Sequence, residues 1–259
     1  MREFNAILTI AYRDLLKFAR DKARIFGSLI LPVLFIGVLG GSLQASLGSR
    51  TGFNFLTYTF TGVFAQTLFQ STAFGIISLI EDRENDFSQE IFISPISRFS
   101  IIFGKIFGES LVALAQAIVL VVIGLLIHVP LTFAGMVALI PVALFVCLLG
   151  GGFGLLLLSF FNSQRAANQV LPFLIFPQFF LAGVFTPLKN QYIYIDLLSR
   201  ITPLRYAVDL VRDVFYTGQP EYSQVVLQGP FLNLSIISVL FLIFLFVGTT
   251  IFVRNERNR

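Results

Sequence analysis

Residues 110–164 read SLVALAQAIVLVVIGLLIHVPLTFAGMVALIPVALFVCLLGGGFGLLLLSFFNSQ, roughly 55 positions without a Lys, Arg, Asp or Glu. A helix needs about 20 predominantly apolar residues to cross the hydrocarbon core of a bilayer, so this stretch predicts two crossings. Its hinge is His128-Val129-Pro130. The run does not alternate polar and apolar residues, which excludes the strands of an outer-membrane barrel. It is apolar on all faces, unlike the amphipathic helix of a soluble core.

Working outward, charges are also absent between Arg24 and Arg50, and over residues 51–80, 166–188 and 222–253. Six spans are predicted, near 26–46, 56–80, 106–127, 132–160, 167–187 and 230–253. Charged residues make up only 12% of the chain and apolar types 56%; soluble domains carry about twice that charge. Cytoplasmic loops of membrane proteins are enriched in Lys and Arg. With both ends inside, the inner segments hold Arg2, Arg13, Lys17, Arg20, Lys22, Arg24, Arg83, Arg98, Lys105, Arg165, Arg254, Arg257 and Arg259. The outer segments hold Arg50, Lys189, Arg200, Arg205 and Arg212, thirteen against five. The net charge of +4 therefore reads as topology rather than as a nucleic-acid surface. The N-terminus does not read as a cleaved signal peptide, since its charged region is long and no small-residue site follows its apolar stretch. The single Cys147 lies in mid-span and is expected to be an inert packing residue.

The chain reads as one transmembrane domain, 1–259, with three informative non-spanning segments. In the first, residues 1–25, Phe4, Ile7, Leu8, Ala11, Leu15 and Phe18 recur at helical spacing, while Arg13, Lys17, Arg20 and Arg24 form a basic stripe. This predicts an amphipathic helix in the headgroup plane, near anionic lipid. It serves either as a topological anchor or as a cradle for a cytoplasmic partner. The second is the inner loop 81–105. Five acids crowd residues 81–90, Phe87, Ile91 and Phe92 offer an apolar patch, and Ser94-Pro95 interrupts any helix. Acids beside exposed aromatics suit docking into a groove on another protein.

The third segment is outer, 189–229. Thr202-Pro203 reads as an N-cap followed by Pro in the first helical turn. Leu204, Ala207, Val208, Val211 and Phe215 line one face, and Arg205, Asp209, Arg212 and Asp213 the other, where charges three or four apart can pair. Gly218 is the expected stop. Five of the seven tyrosines fall between Tyr192 and Tyr222, the composition of an interfacial segment. A short hairpin or re-entrant pair of helices is expected there.

Glu109, near the inner edge of the third span, and His128, at its outer turn, read as interface residues rather than as a proton relay. No phosphate-binding loop occurs: Gly104-Lys105 is followed by Ile106, and Gly150-Gly151-Gly152-Phe153-Gly154 lies within a span, where small residues permit close helix approach. No paired catalytic carboxylates, metal-spaced His or Cys, or Ser–His–Asp set is apparent. An enzyme is disfavoured, and driven work would draw its energy from another chain. An ATP-independent channel or carrier is the alternative, and it predicts ionisable residues deep in several spans.

Three segments resemble the membrane subunit of type-2 ATP-binding-cassette transporters, in that family's order. They are Asp82-Arg83-Glu84 through Phe87, Glu90, Pro95, Ser97-Arg98 and Gly104-Lys105; Leu181 to Leu188; and Thr202 to Arg212. The resemblance covers essentially the whole chain, with two departures. Asp86 stands where the family usually has Gly, and Thr202 where Asn is common. It implies an all-α integral membrane fold of six transmembrane helices, with an N-terminal amphipathic interfacial helix, a cytoplasmic coupling helix and short outer re-entrant helices. Asp82, Arg83, Glu84, Phe87, Glu90, Ile91 and Phe92 would then dock on a separate ATPase subunit, present in two copies and carrying ATP-Mg. Phe185, Thr186, Pro187, Pro203 and Tyr206 would form an outer gate. A second copy of this chain, or a homologous permease, would complete the route in the plasma (inner) membrane. The cargo would be an amphipathic drug-like or lipid-linked substrate.

Overall fold

The computed structural model describes residues 2–84, 96–161, 163–189 and 191–257, and every element assigned among them is a helix. α1 (Arg2–Arg20) is separated by Asp21 from α2 (Lys22–Leu34). Residues 35–40 continue α2 with wider π turns into α3 (Gly41–Thr51). α4 (Phe55–Gly75) and α5 (Ser78–Glu84) follow. After residues 85–95 come α6 (Arg98–Leu126), α7 (Phe133–Leu158) and α8 (Gln164–Leu181). The short α9 (Ile193–Arg200), α10 (Pro203–Tyr216) and α11 (Tyr222–Val225) precede α12 (Pro230–Arg257).

Local chemistry sets these starts. Ser97, Thr132 and Ser163 accept the backbone N–H groups of Ser100, Gly135 and Ala166 at 3.1, 3.1 and 3.3 Å, each satisfying an orphan donor of a first helical turn. The Ser97 cap starts α6 inside what sequence pattern assigned to a loop reaching residue 105. At 29 residues α6 is about 43 Å long, so several turns extend beyond a ~30 Å core. At the other end of α6, Val129 and His128 donate to the carbonyls of Gly124 and Leu125. This is a Schellman ending with His128 in the left-handed region at φ 62°, which gives the predicted hinge its geometry.

Five described helices are long and apolar enough to cross a membrane: 22–48, 55–81, 98–126, 133–158 and 222–255. The predicted span at 167–187 is helical only to Leu181. Its first turns carry Gln164, Arg165, Asn168 and Gln169, and Pro172 and Pro177 lie inside it. At 18 residues it measures about 27 Å.

α4 is the centre of the bundle. In its most apolar window 78% of residues are buried, against 17% for the 22–48 helix. Two glycine seams bring neighbours onto each other's backbone. A Cβ at Gly150 or Gly154 of α7 would lie 2.3 or 2.4 Å from the carbonyl oxygen of Phe69 or Ala73 on α4. The small-residue run thus does what its position in a span predicted. α12 runs alongside α7 in the same direction, with Gly152 against Phe241 and Asn255 bonded to the Ser159 carbonyl at 2.9 Å. α6 runs the opposite way, its Gly124 meeting Phe60 near the start of α4. Large apolar side chains such as Phe133, Phe173 and Phe231 face outward, the surface of a helical bundle made for lipid.

α1 packs along the first turns of α6 through a second seam. A Cβ at Gly104 or Gly108 would come within 3.1 or 2.9 Å of the Ile7 or Ala11 Cα. The packed face carries Ile7, Ala11, Asp14 and Phe18, whereas Phe4 and Leu8, predicted on the apolar face, are exposed. α6 supplies a surface whose glycines admit Ile7 and Ala11, so one part of the predicted apolar face packs on protein while Phe4 and Leu8 stay exposed.

Candidate functional site

Two polar clusters interrupt this apolar bundle, one at each end of α4. At the α1 end, Lys105 Nζ lies 2.7 Å from Asp14 Oδ2 and 3.5 Å from Glu109 Oε1. Glu109 also accepts from Arg24 at 3.1 Å, and Asp14 from Arg13 at 3.2 Å. Glu109 packs against α4 where Gly75 leaves room: a Cβ there would sit 2.1 Å from its carboxylate. Asp14, Lys105 and Glu109 are each at most 2% exposed, whereas Arg24 is 38% exposed. Glu109 is therefore a buried member of an ion chain rather than the interface residue its position suggested. Its removal from water is offset by two cations. The links differ in strength. Deleting one partner of a pair buried on both sides, such as Asp14–Lys105, costs ~3–5 kcal/mol, whereas Arg24 keeps contact with water, which screens its pair with the buried Glu109.

Beside this chain lies a cavity of about 1080 Å³, walled by α1, α2, α4, α5, α6 and α8. Thr67, Gln70 and Ser71 of α4, Gln116 of α6, and Gln164 and Asn168 of α8 supply hydroxyls and carboxamides. Leu31, Pro32, Phe74 and Ile77 add apolar surface, and Arg20, Lys22, Arg24 and Lys105 lie among the charged lining groups. The lining is mostly polar and charged with a minority of apolar side chains, a surface that offers both ionic and apolar contacts to a bulky molecule. Among the described residues no group of three or more His, Cys, Asp or Glu is placed to hold a metal ion.

The second cluster is built on α10. Its predicted polar face is buried, and its charges do not pair along the helix. Arg205 reaches back to Asp196 at 3.1 Å and Ser199 at 3.0 Å. Asp209 accepts the N–H groups of Leu227 and Gln228 and the Asn233 amide at 2.7–2.8 Å. Asp213 accepts the Tyr222 hydroxyl. Arg212 Nη2 donates to the carbonyls of Gly183 and Val184 at 2.8 and 3.2 Å, and its guanidinium lies 3.6 Å from the centre of the Tyr58 ring. The Tyr58 hydroxyl also donates to Gly183, at 2.9 Å. Arg212 thus ties the turn that follows α8 to α4, with its charge stacked on the Tyr58 ring. Burial pushes the Asp209 carboxyl up, opposed chiefly by the Leu227 N–H. The Arg200 hydrogen bond holds Asp196 below its ordinary range. Thr202 occupies the cap position of α10, but its hydroxyl donates to Leu198 at 3.0 Å instead of capping.

The residues predicted as an outer gate fall in two neighbourhoods. Phe185 is buried, edge-on to Phe35 at 5.1 Å and beside Phe180 at 5.8 Å. Thr186 is exposed and Pro187 half-buried beside it. Pro203 is buried at the start of α10, and Tyr206 donates to the Arg200 carbonyl at 2.6 Å. Of the predicted docking residues, Asp82, Arg83 and Glu84 lie on the last turn of α5. Phe87, Glu90, Ile91 and Phe92 fall outside the described residues. Sequence reasoning missed the ion chain and the Arg212 site. The signals for the first were Lys105 and Glu109 four apart, flanked by Gly104 and Gly108, with Asp14 at the edge of an apolar face.

Residues 5–216 match the family described as ABC-2 type transporter. Over 140 residues the chain is 27% identical to YbhR of Escherichia coli K12, described as a probable multidrug ABC transporter permease. That match covers 54% of this chain and 38% of YbhR, and the Escherichia coli O157:H7 counterpart matches equally. The match therefore takes in less than half the length of those relatives. Over 252 residues the chain is 22% identical to ycf38 of Cyanophora paradoxa, provisionally named a transport permease, covering 95% of this chain and 87% of that one.

Proposed function

The chain belongs to the ABC-2 type transporter family, and from that premise we propose that it is the permease of an ATP-driven exporter of amphipathic drug-like or lipid-linked molecules. The observation that carries the proposal is the cavity at the α1 end, whose mixed apolar, amide and charged lining suits such a cargo. In this reading α8 is a sixth crossing, both termini face the cytoplasm, and residues 1–259 form one permease domain in the plasma (inner) membrane. The cavity is then open to the inner side, and the α9–α10 segment dips into the outer interface. The name borne by YbhR supports a multidrug cargo.

Energy comes from two copies of a separate ATPase subunit carrying ATP-Mg, and a second permease chain completes the route. The loop spanning Asp82, Arg83, Glu84, Phe87, Glu90, Ile91 and Phe92 docks on the ATPase. Phe185, Thr186, Pro187, Pro203 and Tyr206 close the outer end. ATP-driven closure of the partner pushes the loop and switches the route between inward- and outward-open forms. Phe87→Asp places a charge in the apolar docking patch. Reconstituted with the ATPase, this variant should insert normally and lose transport at least about tenfold, about 1.4 kcal/mol of coupling. Undiminished transport would overturn the docking assignment.

A further inference from the structure

The ion chain at the α1 end joins three helices by links of different strength. Asp14–Lys105, at 2.7 Å and with both groups 2% exposed, ties α1 to α6. The same two helices share the Gly104/Gly108 seam, and the Glu3 carboxylate accepts the Ser97 N–H at 3.1 Å at its foot. Arg24–Glu109, half open to the cavity, is the one ion pair that holds α2 to α6 among the described residues. Between α1 and α2 stands Asp21, outside the helical region at φ −94° and ψ 86°. The 22–48 helix is also the least buried of the five membrane-length helices.

We infer that α1 and α6 move as one body, while α2 hinges at Asp21 and swings away by breaking Arg24–Glu109. Separating α1 from α6 would strand a buried aspartate and lysine and open a backbone-to-backbone seam. Releasing Arg24 returns a half-exposed guanidinium to water and leaves Glu109 with Lys105 at 3.5 Å. The cheap break lies on the α2 side. Arg24, Gly27, Ser28, Leu31 and Pro32 all line the cavity, so this swing sets the width of its mouth. Because α6 begins shortly after residues 85–95 in the chain, a push on that segment carries α1 along and shears both against α2. The role given to the swing rests on the exporter reading; the hinge itself does not.

The test places spin labels on the purified chain in lipid nanodiscs. One pair is Tyr12→Cys with Phe99→Cys, across α1 and α6. The other is Phe26→Cys with Phe99→Cys, across α2 and α6. All three sites are exposed, and the buried Cys147 stays in place. The first pair should give one narrow distance at neutral pH that neither substitution nor ATP-Mg changes. The second should give two, with Arg24→Gln raising the longer one at least about threefold, and Glu109→Gln doing the same from the other side. A 12–99 distance that spreads together with 26–99, or a 26–99 distance unmoved by both substitutions, would overturn the inference. Adding the ATPase with ATP-Mg separates the two readings. If the exporter reading alone fails, the distances ignore ATP while the response to Arg24→Gln remains.

Discussion

Arg212 shows how one side chain can organise a membrane-protein end. It is 2% exposed, donates to the Gly183 and Val184 carbonyls just past α8 and stacks on Tyr58 of α4. Arg212→Gln deletes a charged donor and the cation–π contact, so the expected loss is about 2–4 kcal/mol. Arg212→Lys keeps the charge without the planar fork and should fall between the two. Cys147, single in the chain and buried, provides the readout: a thiol-reactive dye should label it at a lower temperature in each variant. Glu3 makes a prediction in pH. Hydrogen bonds from Ser100 and then Ser97 hold its carboxyl below the ordinary value. A depressed carboxyl contributes above its unfolded pKa and loses that contribution as pH falls through the folded one. The foot of α1 should therefore hold at neutral pH and loosen only on acidification below about pH 4. Spin-label mobility at Tyr12 would report it, and Glu3→Gln should abolish the dependence.

At the scale of elements, contact surfaces set by small residues decide which helices share a neighbour. Gly154→Leu would drive a side chain into the α4 backbone at Ala73, and overpacking of this kind costs ~1–3 kcal/mol or more. Its yield of folded protein should drop sharply. Gly41→Ala, with nothing within 4 Å of the added Cβ, should match wild type or exceed it slightly. The α6–α7 turn makes a second comparison. His128→Val puts a β-branched residue in the left-handed region and should cost about 1–2 kcal/mol, while His128→Gly should be neutral. Both are read as shifts in the dye-labelling temperature. The turn was legible as His128-Val129-Pro130, because a break between two spans leaves a mark in local sequence. Ile7, Ala11 and Phe18 of the apolar face read from spacing do pack, but which part of that face meets protein was not legible, because Gly104 and Gly108 of a distant helix choose it.

At the scale of the molecule, α4, α7 and α12 run one way while α6 runs the other, and the described ends of the chain, α1 and the last turn of α12, lie at the same end of the bundle. Membrane-impermeant thiol reagents applied to intact cells should leave Tyr12→Cys and Asn255→Cys unlabelled and should reach Thr186→Cys. Labelling of only one terminal site would reject an even number of crossings. Co-purification with an ATPase subunit, lost on Phe87→Asp but kept on Arg212→Lys, would separate docking defects from folding defects.

The sequence by itself determined that this is an all-α membrane bundle and roughly where its helices cross, because transfer of charge into hydrocarbon is costly enough to keep Lys, Arg, Asp and Glu at or near the ends of the spans. It also marked α10 as an amphipathic helix with four charges. Only the tertiary structure decided what those charges do. Spacing allowed Arg205, Asp209, Arg212 and Asp213 to pair along their own helix; they bond instead to Asp196, the 227–228 backbone, the 183–184 backbone and Tyr222. Asp14, Lys105, Glu109 and Arg24 are scattered through the first 109 residues and become one chain only when α1 lies on α6. Burial along a helix is a local preference readable from periodicity, whereas a buried charge is satisfied by whatever the fold brings within about 3 Å, and neighbours distant in sequence supply that partner.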